Sequence, residues 1–162
     1  MINKSDTPIP GVYLRQAKDA DSPELRTLIF DILKNYGLNV DPLSTDKDLY
    51  EIETYYPEGH FWVLTNNTGT ILGSFALFHS ENGRVEVRKM YFDPSLRNKG
   101  LGKWALKYLE TIARQAGYNA LLLDTASVLT EAIGLYKGFG FEITEGKCHS
   151  ERCDITMLKR LK

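Results

Sequence analysis

Glu86-Val87-Arg88-Lys89-Met90-Tyr91-Phe92-Asp93-Pro94-Ser95-Leu96-Arg97-Asn98-Lys99-Gly100-Leu101-Gly102 joins a strand-like run to the start of a helix. Its first half is rich in β-branched and aromatic residues, as strands are. Asp93-Pro94 breaks the run. Beyond the glycines, Leu101, Trp104, Ala105, Tyr108, Leu109 and Ile112 recur on one helical face, opposite Lys103, Lys107, Glu110 and Arg114, until Gly117. A glycine-bearing loop therefore sits at a helix N-terminus, where unpaired N–H groups and the positive end of the dipole favour an anion. The loop lacks the Gly-Lys-Ser/Thr end of a Walker sequence and the spacing of the dinucleotide fingerprint. On its own it also fits a surface turn whose glycines only shape the chain.

Working outward, Arg84 to Phe92, Thr70 to Phe78 and Phe61 to Leu64 read as an antiparallel meander, separated by Glu81-Asn82-Gly83 and Asn66-Asn67-Thr68-Gly69. Upstream, Leu25, Leu28, Ile29, Ile32, Leu33 and Tyr36 keep the helical period until Gly37. Ser22-Pro23 reads as the start of that helix, with a capping hydroxyl and proline at the first helical position. Thr45 and Asp48 form a capping box ahead of a shorter helix with Leu49, Ile52 and Tyr56, closed by Pro57. A strand is expected at Val12 to Arg15, and residues 1–10, with two prolines, read as a loose leader. Downstream follow a strand at Ala120 to Leu123, a helix around Glu131 to Lys137, and strands at Phe141 to Glu145 and Asp154 to Leu161. The order βααβββαβαββ is mixed α/β, without internal repeats.

The 162 residues, 43% hydrophobic, suit one core, so residues 11–162 are expected to form a single domain. Twenty basic residues against 21 acidic ones provide no net field for nucleic acid or an anionic membrane. No apolar run reaches the roughly 20 residues of a membrane span, and the N-terminus has no apolar signal region. The expected location is cytoplasmic. Cys148 and Cys153 could meet across a turn, or bind a metal with His149, but in a reducing compartment both read as free thiols.

The strand, loop and helix, together with Leu135-Tyr136-Lys137-Gly138-Phe139-Gly140-Phe141, resemble the GNAT (GCN5-related N-acetyltransferase) superfamily from Val12 to Leu161. The resemblance implies a mixed, mostly antiparallel twisted sheet of six to seven strands flanked by about four helices and splayed between strands 4 and 5. It implies acetyl-CoA as cosubstrate and no metal. Arg97, Gly100 and Gly102 match the family's pyrophosphate loop, so residues Arg97, Asn98, Lys99, Gly100, Leu101 and Gly102 are expected to hold the CoA pyrophosphate. By the same resemblance the main chain of Met90-Tyr91-Phe92 lies along the pantetheine arm, with Met90 and Phe92 as its partners.

Acetyl transfer to an amine has three physical requirements. The amine must be neutral, and with a pKa near 10 only about one molecule in a thousand is so at pH 7. Glu86 resembles the strand-four glutamate that some family members use as base. Four extended residues to Met90 cover about 13 Å, so Glu86 would act through water or across a bend in the strand. A half-exposed structural glutamate is the other reading. The tetrahedral oxyanion needs a donor, and by analogy the Met90 N–H supplies it. The departing thiolate needs a proton or hydrogen bond, and Tyr136 occupies the position from which many family members give it and contacts the cofactor. Core packing would also account for this tyrosine. Many members carry an asparagine about seven residues earlier, where this chain has Leu129, with Thr130 beside it.

The segment Asn39 to Glu58 interleaves Asp41, Asp46, Asp48, Glu51, Glu53 and Glu58 with Tyr50, Tyr55 and Tyr56. It would suit a cationic amine, and it reads equally as a solvated face. His60 and His79 have no metal or triad spacing. With no nucleophile set up, direct attack in a ternary complex fits best. The expected acceptor is a small-molecule amine, with a protein N-terminus or lysine as the alternative and a homodimer left open. A non-catalytic acyl-CoA-binding module would lack the acid and base that Glu86 and Tyr136 offer. An ATP-binding protein would need a lysine and hydroxyl for phosphate and magnesium.

Overall fold

The computed structural model describes residues 4–162. The chain packs as two compact units, one of residues up to Ala76 plus Lys89–Leu101, the other of Leu77–Arg88 plus Gly102–Lys162. Residues 1–3 of the expected leader lie outside the description.

The first unit begins with β1 (Ser5–Asp6) and β2 (Tyr13–Gln16), paired antiparallel through Ser5↔Leu14 and Asp6↔Tyr13. β1 falls within the stretch expected to be loose. The Thr7 hydroxyl donates to the Val12 carbonyl at 2.8 Å, and Gly11 takes φ +81°, which folds the chain back to make this pairing. Helix α1 (Ser22–Asn35) buries Leu25, Ile29, Ile32 and Leu33, each worth about 1.5–3 kcal/mol on removal from water. Its N-cap is Asp21 and not Ser22, and no side chain caps it. Ser22 is buried one residue inside, where its hydroxyl donates to the Leu49 carbonyl.

The expected second helix is shorter and differently made. A 3-10 turn over Lys47–Tyr50 precedes α2 (Ile52–Tyr55), and neither has a side-chain cap. Thr45 and Asp48 form no capping box, because Thr45 bonds the Asp41 carboxylate and Asp48 is drawn into the interior. β3 (Phe61–Thr65) is buried along its whole length between β2 and β4 (Ile71–His79).

β4 and β5 (Arg84–Phe92) run through both units. The second unit adds α3 (Leu101–Gln115), β6 (Ala120–Thr125), α4 (Thr130–Gly138), β7 (Glu142–Thr144) and β8 (Ile155–Arg160). Among the described residues the sheet order is β1-β2-β3-β4-β5-β6-β8-β7, eight strands against the six to seven expected, β1 being the addition. β5 and β6 are parallel, as the crossover through α3 requires, over Arg84↔Ala120, Val85↔Leu121 and Glu86↔Leu122. β8 returns antiparallel to β6 and carries β7 on its far edge.

Candidate active site

In β5 the side chains alternate, and Val85, Val87 and Lys89 all fall on the buried parity. The third of these brings a charge into the core. Lys89 Nζ lies 2.6 Å from Asp46 Oδ1 and 3.1 Å from the Thr45 carbonyl, and it forms a longer ion pair of 3.4 Å with Asp48 Oδ1. The Tyr56 hydroxyl completes the cluster at 2.5 Å from Asp48 Oδ2. The Lys89 backbone is itself unusual, with φ +52°, left-handed in the middle of a strand. Ser74 Oγ donates to its carbonyl at 2.7 Å. A bend thus stands between Glu86 and Met90, fixed by a buried side chain and a buried hydroxyl.

The same cluster revises the reading of the acidic segment. Asp46 and Asp48 face neither solvent nor an acceptor, since both are buried and committed to Lys89. The Asp41 carboxylate accepts from the Thr45 N–H and hydroxyl, and the Asp19 and Glu53 backbone N–H groups each donate to the other residue's carboxylate. Glu51 and Glu58 remain exposed.

After the bend, Met90, Tyr91 and Phe92 are half-buried. β4 approaches closely at Gly73, where a Cβ would stand 2.9 Å from Phe92 Cδ1 and 3.1 Å from the Tyr91 carbonyl. Asp93 accepts from the Ser95 N–H at the head of a 3-10 turn over Pro94–Leu96. The half-buried Arg97 guanidinium stands 5.7 Å from the Tyr36 ring centroid. Asn98 and Gly100 then take φ +61° and +77°, with Asn98, Lys99 and Gly100 exposed and Leu101 buried as the first residue of α3. Left-handed residues interleaved with ordinary ones turn successive N–H groups toward one side, the geometry of an anion-binding nest.

In the second unit, Glu86 is only 12% exposed and lies 3.0 Å from Arg88 Nε, whose guanidinium covers the Phe78 ring at 3.7 Å. Burial pushes the Glu86 carboxyl above its usual range; Arg88 opposes the shift and Asp124 adds to it. Asp124 projects from β6 and accepts from the His149 backbone N–H at 3.1 Å, with the ring Nδ1 at 3.0 Å. Donor and acceptor atoms of Glu86, Asp124 and His149 lie within 4.8 Å of one another.

Cys148 and Cys153 are joined as a disulfide, which corrects the free-thiol expectation. The turn between them brings their Cα atoms to 5.6 Å, inside the ordinary bridging range. Tyr136 is buried in α4, its ring edge-on to Phe141 at 5.8 Å between centroids. Leu129 stands at the N-cap of α4, where it provides no side-chain cap.

The model of the acetyltransferase (GNAT) family matches residues 26–141. The chain belongs to the GNAT family. Its sequence is 34% identical over 158 residues to the uncharacterized N-acetyltransferase YjgM of Escherichia coli (strain K12), covering 91% of this chain and 94% of that protein. In fold it resembles a GNAT acetyltransferase of Staphylococcus aureus Mu50, with a TM-score of 0.84, 22% identity and coverage of 93% and 99%. It also resembles the phosphinothricin acetyltransferase of Sinorhizobium meliloti solved in complex with AcCoA, at TM-score 0.71, 22% identity and coverage of 93% and 89%.

The protein is thus an acyltransferase, and its GNAT loop has two kinds of glycine. Gly100 has open space around it and a left-handed backbone, whereas a Cβ on Gly102 would stand 2.6 Å from Leu135 Cδ2. Gly102 is therefore explained by helix packing, and a bulky residue there would disturb the junction with α4 as well as any phosphate. Arg97 is the cleaner position to test.

Proposed function

We propose that this GNAT enzyme moves the acetyl group of acetyl-CoA to a primary amine of a small molecule by direct attack in a ternary complex. The observation that carries this reading is the exposed left-handed loop at the start of α3, which suits a pyrophosphate with nothing but main chain and one arginine. Arg97 to Gly102 hold the pyrophosphate, and the main chain of Met90, Tyr91 and Phe92 aligns the pantetheine. Glu86 takes the amine proton, the Met90 N–H faces the oxyanion, and Tyr136 gives a proton to the thiolate. The N–C bond forms first, as the thioester carbonyl opens to the oxyanion, and the C–S bond breaks when the carbonyl re-forms and expels the thiolate. The AcCoA complex of the Sinorhizobium meliloti relative supports the choice of cosubstrate. With Asp46 and Asp48 withdrawn into the core, the acceptor's cation has only more exposed acids such as Glu51 and Glu58 to meet in that segment.

Arg97→Ala should weaken CoA binding about ten- to a hundredfold, the usual worth of a charge-assisted hydrogen bond. Calorimetry at two salt concentrations, on a variant with wild-type thermal unfolding, checks it; unchanged affinity would remove the loop from the site. Mass-spectrometric screening of acetyl-CoA turnover against small amines and short peptides identifies the acceptor class, and turnover confined to peptides would overturn the small-molecule assignment.

Glu86→Gln should slow transfer most near neutral pH and less at alkaline pH, where more acceptor is already neutral. The sign follows from the raised carboxyl: Glu86 acts only when ionised, so the wild-type rate falls on the acid side at a higher pH than an ordinary glutamate would give. Wild-type rates in the variant across pH 6 to 9, with an amine of high pKa, would return Glu86 to a structural role.

A further inference from the structure

Three groups in the second unit face one another without a place in the steps above: Asp124, His149 and the disulfide. Asp124 comes from β6, beside the parallel contact that ends at Glu86↔Leu122. His149 comes from the loop between β7 and β8, one residue after Cys148. That loop is pinned at both ends. The Thr156 hydroxyl donates to the Thr144 and Gly146 carbonyls at 2.9 and 3.2 Å, and the Asp154 N–H donates to the Thr125 carbonyl at 3.1 Å. Between the pins, the Cys148–Cys153 bond closes a short ring that contains His149. A histidine whose side chain is 75% exposed would ordinarily sample many orientations, yet here both its backbone N–H and its ring meet the same oxygen, Asp124 Oδ2.

We propose that His149 is a positioning residue for the base Glu86, acting through Asp124, and that the Cys148–Cys153 disulfide holds it in place to do so. The inference rests on the assignment of Glu86 as base. Its physical content is the charge that surrounds one carboxyl. Burial raises Glu86, and the neighbouring Asp124 carboxylate adds to that shift. The charged and titratable groups facing Glu86 are Arg88 on its own strand, Asp124 on β6 and His149 on the closed loop. Arg88 Nε binds Glu86, and His149 binds Asp124 with two nitrogens. Each carboxylate thus has its own partner. Without the His149 ring, Asp124 keeps the backbone N–H of residue 149 but loses the ring nitrogen, the negative charge beside Glu86 is less compensated, and Glu86 is ionised over a narrower range of pH.

The test uses the full-length, disulfide-bonded protein and follows the Glu86 side-chain carboxyl by carbon-13 NMR, assigned by comparison with Glu86→Gln. His149→Ala should move the Glu86 midpoint upward by about half a unit to one unit, and the acid side of the transfer rate should move with it. His149→Asn keeps a donor able to reach Asp124 and should retain most of the wild-type midpoint. Opening the disulfide with a dithiol, which leaves two cysteine thiols and an oxidised dithiol, should reproduce the upward shift in the wild type and add nothing in His149→Ala. Cys148→Ser should match the reduced wild type.

A Glu86 midpoint unchanged in His149→Ala would overturn the role of His149. A shift on reduction that persists in His149→Ala would show that the disulfide acts by another route, and would overturn its part in the proposal. The underlying assignment fails differently, by wild-type transfer rates in Glu86→Gln, whereas slow Glu86→Gln beside an unshifted His149→Ala would overturn the positioning role alone.

Discussion

Lys89→Met is expected to destabilise the protein by about 3–5 kcal/mol, the cost of leaving a buried partner charge uncompensated. The methionine fits the space of the lysine stem, so little apolar packing is lost. What goes is the Lys89 ammonium that stands 2.6 Å from Asp46 Oδ1, and the Asp46 side chain is 0% exposed. Asp48, 4% exposed, keeps the Tyr56 hydroxyl but loses its ion pair. The Thr45 carbonyl loses a donor as well. Replacing all three charges, as in Lys89→Met with Asp46→Asn and Asp48→Asn, should recover a substantial part of the loss, because amides pay far less for burial than unpaired carboxylates. Lys89→Gly separates the two features of this residue. Glycine removes the strain of φ +52°, worth on the order of 1 kcal/mol, and still leaves the aspartates without the Lys89 ammonium, so it should remain strongly destabilised. Urea unfolding of the four proteins at pH 7 measures these differences. A loss below about 1 kcal/mol in Lys89→Met would mean that Asp46 finds water or another partner, and that the cluster does not fix the bend.

How far this was legible in the sequence depends on what each residue's signal was. Helices α1 and α3 were readable because several apolar residues repeat over three or more turns and no local competitor disturbs the period. The three meander strands were equally plain, bounded by turn formers that do take positive φ, Gly69, Asn82 and Gly83. The loop before α3 was readable because glycine and asparagine are the residues that such a backbone tolerates. Lys89 was not. A lysine in a strand reads as solvent-facing, and nothing local announces partners 41 to 44 residues earlier, although its parity with Val85 and Val87 was a usable warning. Ser22, Thr45 and Asp48 fail for a related reason: hydroxyl and carboxylate side chains that look like helix caps are claimed by other partners, the distant Leu49 carbonyl and Lys89 for Ser22 and Asp48, and Asp41 four residues earlier for Thr45. For the cysteines the sequence offers mainly an argument from compartment, whereas a turn that brings their Cα atoms to 5.6 Å decides their pairing. Glu86 is singled out in the sequence by family resemblance and its place four residues ahead of Met90, but its neighbours Asp124 and His149 come from distant elements, and only the parallel β5–β6 contact and the closed loop unite them.

Tyr136→Phe should lower single-turnover acetyl transfer by roughly ten- to a thousandfold while changing CoA affinity much less. Phenylalanine keeps the ring, and with it the edge-on contact to Phe141 and nearly all of the area that makes Tyr136 only 7% exposed. The backbone role is kept too, since the Tyr136 carbonyl accepts from the Phe139 and Phe141 N–H groups at 3.1 and 3.0 Å to end α4. The variant differs from the wild type by one O–H, so a folding defect and a chemical defect separate cleanly. The size of the effect depends on the leaving group. A thiol with a pKa near 8.5 leaves as thiolate without much help, which favours the lower end of the range; a site that excludes water makes an unprotonated thiolate costlier and favours the upper end. Steady-state turnover is the wrong measurement if product release is slow, because release would mask a slower chemical step. Rapid-quench transfer with enzyme in excess over acetyl-CoA reads the chemistry directly. If the phenylalanine variant transfers at the wild-type single-turnover rate, Tyr136 serves packing alone, and the departing sulfur takes its proton from water.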